Sequence, residues 1–164
     1  TPDILRRLIK LLEEKGKVFI NAEGEVDSEF EKYVIRIKPN KMHSVMAAAN
    51  LFIGDSQSMS TEAGLLGTPF IRFNDFVGKI NVLNDIENIY KLGFGVKTDD
   101  IDRLFKLVEE IINTNNIKDI YKIRAQKLFD DKLDVTDFWI WLIENYPNSI
   151  NILKKDPDYQ LRFS

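Results

Sequence analysis

The stretch that decides the fold is Leu51-Phe52-Ile53-Gly54-Asp55-Ser56-Gln57-Ser58-Met59-Ser60-Thr61-Glu62-Ala63-Gly64-Leu65-Leu66-Gly67-Thr68-Pro69. An apolar strand runs directly into small hydroxyl and amide residues. A short helix follows, stops at glycine, and gives way to a second apolar run, Phe70-Ile71-Arg72-Phe73. Such an arrangement aims the free N–H groups of a helix start at the end of a buried strand, a place suited to an anion, usually a phosphate. The strand reads as buried on both faces, and the helix as Ser60 to Leu66.

Working outward, further strands are expected at Lys17–Asn21, Tyr33–Ile37 and Phe94–Val96, and helices at Ile4–Leu12, Met42–Ala49, Ile80–Lys91 and Ile101–Ile112. Strands alternating with helices imply a parallel sheet reached by crossovers. The expected fold is therefore α/β: a three-layer, Rossmann-like parallel sheet of about five strands with helices on both faces, followed by C-terminal helices. Ligands of such sheets sit beyond the carboxyl ends of the strands. This singles out the loops Asn21–Gly24, Lys38–His43, Asp55–Ser60 and Asn74–Lys79.

The 164 residues suffice for one domain with a core, and 44% hydrophobic residues exclude a disordered chain. Residues 1–164 read as one domain, with a C-terminal helical segment at 114–155 and a polar tail at 156–164. Within that segment the helix after Asp134 carries Phe138, Trp139, Ile140, Trp141, Leu142 and Ile143. It is apolar almost all round and is expected to be sandwiched between other elements, with the tryptophans in a core or interface. A net charge of −3 with scattered basic residues argues against a nucleic-acid surface. Cysteine is absent and there is a single histidine, so disulfides, thiol chemistry and a multi-histidine metal site are excluded. No apolar run has the length of a membrane span and Thr1-Pro2-Asp3-Ile4 reads as a helix start, so the expected location is the cytoplasm. With no initiator methionine, the chain reads as a piece of a longer protein.

Ser56, Gln57, Ser58 and Met59 lie where a diphosphate would settle, each anionic group gaining about 0.3–1 kcal/mol from the helix dipole. Helix capping by Ser58 or Ser60 is the ordinary explanation of the same serines. Glu62, about one turn on, is placed to accept hydrogen bonds from ribose hydroxyls; its ordinary role is that of a solvent-facing acid. His43, near the start of its helix, suits stacking on a base or donating to a phosphate, and Lys79 on a glycine-containing loop suits neutralising phosphate charge. Glu23 and Glu25 read as a solvated acidic loop.

With these residues in hand, Gly54 to Pro69 resembles the nucleotide-sugar motif of UDP-N-acetylglucosamine 2-epimerases, in which Asp-Ser-Gly-Gly precedes a helix with a Glu-Ala pair and then Leu-Gly-x-Pro. Gln57 and Ser58 stand where those epimerases have glycines. The chain resembles the C-terminal half of an uncharacterised family of GT-B-like proteins related to the epimerases. Ser58-Met59-Ser60-Thr61-Glu62-Ala63, the loop Asn74 to Lys79 and Asp134-Val135-Thr136 carry that likeness. The resemblance implies that Ser56, Gln57 and Ser58 line a diphosphate pocket, that Glu62 holds the ribose, and that the backbone from Ile37 to Pro39, with His43, borders the base. It implies UDP or a UDP-sugar as substrate, no separate cofactor, a missing N-terminal half as partner, and no turnover by this chain alone. Two other readings are a phosphate-receiver-like signalling domain, using Asp55 and Lys79, and an interaction scaffold using Trp139 and Trp141. The receiver reading is the weaker, since Asn21-Ala22 stands where an acidic pair belongs.

Overall fold

The computed structural model describes residues 1–163. The chain divides into two compact units, Thr1–Arg124 and Ala125–Ser164. The first contains α1 (Pro2–Glu13), α2 (Met42–Ala48), β1 (Phe52–Gly54), α3 (Gln57–Leu65), β2 (Phe70–Phe73), α4 (Asn81–Asn88), β3 (Gly93–Val96) and α5 (Ile101–Ile112). Helix α6 (Ile117–Asp130) follows. The second unit holds α7 (Val135–Glu144), α8 (Asn148–Lys155) and a 3-10 helix, Pro157–Phe163, in the stretch expected as a tail.

The sheet is parallel and has three strands in the order β1-β2-β3, with Ile53 opposite Ile71 and Arg72 opposite Gly95. Successive side chains point to opposite faces. Ile53, Ile71, Phe73, Phe94 and Val96 share one face, where they pack with Leu8 of α1 and with Leu104, Leu107, Val108 and Ile111 of α5. Phe70 and Arg72 point to the other face. Phe70 lies against Gly64 of α3 and over Gly93, and Arg72 reaches Glu87 of α4. Helices therefore cover both faces, as the alternating pattern implies.

The five-strand, Rossmann-like sheet is nevertheless wrong. The structure is α/β but mostly helical, and the expected strands at Lys17–Asn21 and Tyr33–Ile37 reduce to one isolated parallel bridge, Ile20 with Val34. Two hydrogen bonds make it: Ile20 N–H to the Tyr33 carbonyl at 2.8 Å, and Ile35 N–H to the Ile20 carbonyl at 2.9 Å. The physical reason is missing cover. Parallel pairs persist where both faces are buried, and a lone two-stranded pair is marginal. Here Phe19 is 63% exposed, and Lys17, Asn21 and Arg36 face solvent. Tyr33 also belongs to a 3-10 helix, Ser28–Tyr33, which ends only where the second strand should begin. For the same reason β1 is an edge strand and only half-buried, not covered on both faces.

In the second unit Asp134 caps α7, its Oδ1 accepting from the amides of Thr136 and Asp137 at 2.9 and 3.1 Å. Phe138, Trp141, Tyr159 and Phe163 form one aromatic cluster, with Trp141 stacked on Tyr159 at 4.7 Å between centroids. The expectation that α7 is sandwiched fails within this unit: no residue of the helix is buried, and Val135, Trp139, Ile140 and Ile143 are exposed. The helix lines the cluster with one face only. Among the described residues, no helix is long and apolar enough to cross a membrane.

Glycine at position 93 is a steric requirement of this packing. A Cβ there would stand 2.4 Å from Cγ of the buried Phe70 ring. Gly93→Ala should lower the unfolding free energy by about 1–3 kcal/mol through overpacking. Gly24→Ala, whose Cβ would meet nothing within 4 Å, should stay within about 0.5 kcal/mol of the parent. Urea titrations of the two variants check this, and equal midpoints would contradict it.

Candidate functional site

At the carboxyl end of β1 the chain turns through Asp55 into α3. The helix starts at Gln57, three residues earlier than the sequence suggests, because Ser56 rather than Ser58 or Ser60 is the cap. Ser56 Oγ accepts from the Met59 amide at 3.3 Å, and its carbonyl accepts from the Ser60 amide at 3.2 Å and the Ser60 hydroxyl at 2.6 Å. Ser60 is thereby fully buried, and so takes no part in a surface site. Helix geometry leaves the first amides without intrahelical partners. With Met59 served by the cap, those of Ser56, Gln57 and Ser58 are left. Gln57 is half-buried and Ser58 exposed. The Ser58 hydroxyl lies 3.3 Å from Ser56 Oγ.

Glu62 lies on the flank of α3 that faces α2. Its Oε2 stands 3.2 Å from His43 Nε2, with side chains 41% and 69% exposed respectively. Two residues nineteen apart in sequence, each singled out for the same ligand, thus meet. An exposed side-chain contact of this kind is worth no more than about 1 kcal/mol, so incoming hydroxyl groups can compete for the carboxylate at low cost. Pro39 opens a short 3-10 helix, Pro39–Lys41, which runs into α2 and is exposed. The carboxyl end of α2 is pinned by Lys118, whose Nζ donates to the carbonyls of Ala47 and Ala49 at 2.9 and 2.8 Å and to Thr68 Oγ1 at 2.6 Å. Burial pushes the Lys118 ammonium below the ordinary lysine range.

Lys79 is not brought to this group. It is exposed, and its Nζ lies 5.7 Å from the ring centroid of Phe76 on its own loop. Only the root of that loop touches the site: Asn74 Nδ2 donates to the Asp55 carbonyl at 2.7 Å. Thr98, through its hydroxyl and its amide, holds the Asp75 carboxyl below the usual carboxylate range. Glu23 and Glu25 are exposed, in line with a solvated loop.

Sequence reasoning missed the residues that position the site. Arg72 is fully buried; its Nε and Nη2 donate to Glu87 Oε1 at 3.0 and 2.7 Å, and its Nη1 donates to Asn74 Oδ1 at 2.9 Å. Asn74 Oδ1 also accepts from the Phe76 amide at 3.0 Å. A hydrogen-bonded chain therefore runs from α4 through β2 and Asn74 to the turn that opens α3. The available signal was an arginine amid Phe70, Ile71 and Phe73, and a glutamate on the apolar face that Leu83 and Ile86 mark in α4. Among the described residues there is no group of three or more histidine, aspartate or glutamate side chains placed to hold a metal ion.

Comparison with known proteins brought no match among family models, curated proteins or solved structures.

Removing one partner of a buried pair strands the other charge, at a cost of about 3–5 kcal/mol. Glu87→Leu should therefore destabilise the chain by that amount, and the double variant Arg72→Met/Glu87→Leu should regain at least half of it. Chemical denaturation of both variants measures this. A double variant no more stable than the single one would contradict the account.

Proposed function

We propose that the chain is the nucleotide-sugar-binding half of a glycosyltransferase or epimerase-like enzyme of glycan biosynthesis, acting in the cytoplasm and inactive without a second half. The observation that carries this reading is the meeting of Glu62 with His43 beside the start of α3 at the carboxyl end of β1. The substrate is UDP or a UDP-sugar. Its diphosphate takes the amides of Gln57 and Ser58 and the hydroxyls of Ser56 and Ser58. Its ribose hydroxyls donate to Glu62, releasing His43 toward the base or a phosphate oxygen. Pro39 and the backbone before it border the base. The part of the sequence resemblance that concerns the whole fold is set aside with the five-strand sheet; the reading rests on the local strand–turn–helix and its carboxylate.

With one wall of a two-sided cleft, affinity is expected at millimolar to high micromolar, about −4 to −6 kcal/mol. Titration with UDP, followed through backbone amide shifts, should move Gln57, Ser58 and Met59 together with His43 and Glu62. Glu62→Ala should weaken binding about tenfold, or 1.4 kcal/mol, with the fold intact because the side chain is partly exposed. An absence of shifts at several millimolar UDP, or an unchanged affinity in Glu62→Ala, would contradict the reading.

A second reading, an interaction scaffold, draws on a different observation. Val135, Trp139 and Ile143 recur at helical spacing along α7 and are exposed, and apolar faces of this kind mark association surfaces. Sedimentation of the chain separates the two readings: a clean monomer at high concentration disfavours the scaffold.

A further inference from the structure

The buried ion pair that positions the α3 turn leaves one oxygen unused. An arginine fork commonly meets both oxygens of a carboxylate with two parallel hydrogen bonds. Here Nε and Nη2 of Arg72 converge on Glu87 Oε1 alone. Among the described residues no donor reaches Oε2, although the Glu87 side chain is only 7% exposed. A carboxylate oxygen has room for two hydrogen bonds; among the described residues no buried side-chain oxygen or nitrogen lacks a partner, so Oε2 keeps contact with solvent and is open to a donor from a ligand.

Oε2 is turned toward the bare backbone of Gly95, 2.7 Å from where a Cβ would stand. Beside it lies a hollow of about 220 Å³ lined by, among others, Gly78, Asn84, Glu87, Asn88, Gly95 and Arg103. The Val96 carbonyl accepts from the Asn74 amide, so strand alternation turns the N–H and C=O of Gly95 outward along the free edge of β3. Arg103, in the first turn of α5, is exposed, and no described side chain pairs with its guanidinium. The hollow thus gathers a carboxylate oxygen free of protein donors, an exposed cation and unpaired strand backbone. Of the two charged residues that line the hollow, Glu87 is paired with Arg72, which leaves Arg103 to meet an anionic group of a ligand, while Asp100 and Asp102 stand beside it at the start of α5.

We propose that this hollow is a binding site for a small α-amino or α-hydroxy carboxylate, its ammonium or hydroxyl donating to Glu87 Oε2 and its carboxylate held by Arg103. The volume lies below the roughly 300–1,000 Å³ of drug-sized pockets, which suits a ligand of this size and is too small for a nucleotide. None of its residues belongs to the α3 turn, but Glu87 also anchors the hydrogen-bonded chain that positions that turn, so Arg103, which takes no part in that chain, is the residue whose substitution separates this site from the proposed UDP site.

The test is an amide-shift titration of the full chain with L-serine and with L-lactate, using acetate (anion only) and glucose (hydroxyls only) as controls. Saturable shifts at Val77, Gly78, Gly95 and Arg103 are expected with serine or lactate, and about tenfold weaker binding in Arg103→Ala, whose exposed position leaves the core untouched. No saturable shift with either compound up to about 50 mM, well above a millimolar dissociation constant, would overturn the proposal. So would equal shifts from acetate, or an affinity unchanged in Arg103→Ala.

Discussion

Arg72 carries a full charge in the middle strand of a small sheet and touches no water. Everything near it answers to that constraint. Two unit charges out of water are tolerable only with close pairing and further hydrogen bonds, and Glu87 and Asn74 supply both. Glycine at position 95 leaves room for the pair to cross its backbone: a Cβ would meet Glu87 Oε2 at 2.7 Å and Arg72 Nη2 at 3.1 Å and push the pair aside. Asn74 then extends the chain of hydrogen bonds to the Asp55 carbonyl. The charge in the sheet thereby fixes where the turn into α3 lies, and with it the amides and carboxylate of the candidate site.

The parts of the fold legible in the sequence are those where burial and periodicity agree. The runs Phe52–Gly54 and Phe70–Phe73, the strand near Phe94, and the stripe Ile101, Leu104, Val108 and Ile111 all form the elements that their patterns imply. The strands near Ile20 and Val34 carry the same β-branched residues, yet pairing also needs cover that the local sequence does not specify, and the exposed Phe19 marks its absence. Helix α7 fails in the opposite way. Its composition looks buried all round, but a composition cannot say what covers a face: Phe138 and Trp141 meet Tyr159 or Phe163, while Trp139 stands edge-on to Phe138 and stays exposed.

The candidate site was legible in its pieces and less so in its assembly. The cap, the helix and the acid of the Ser56–Glu62 segment lie close together in sequence, so local rules place them. The partnership of Glu62 with His43 depends on α2 and α3 packing side by side, which Lys118 and Thr68 secure from a distance no local pattern spans. Lys79 was drawn in by its loop's position after β2. The loop root does reach the site through Asn74, while the lysine itself turns over Phe76. A position shared along the chain is not a position shared in space.

The most direct measurement of the central claim is a crystal structure of the chain soaked with UDP. The account predicts a diphosphate oxygen about 3 Å from the Gln57 and Ser58 amides and a ribose hydroxyl on Glu62, with His43 displaced from that carboxylate. Nucleotide density away from the α3 turn, or a soaked crystal in which His43 and Glu62 keep their contact and the turn stays bare, would contradict it.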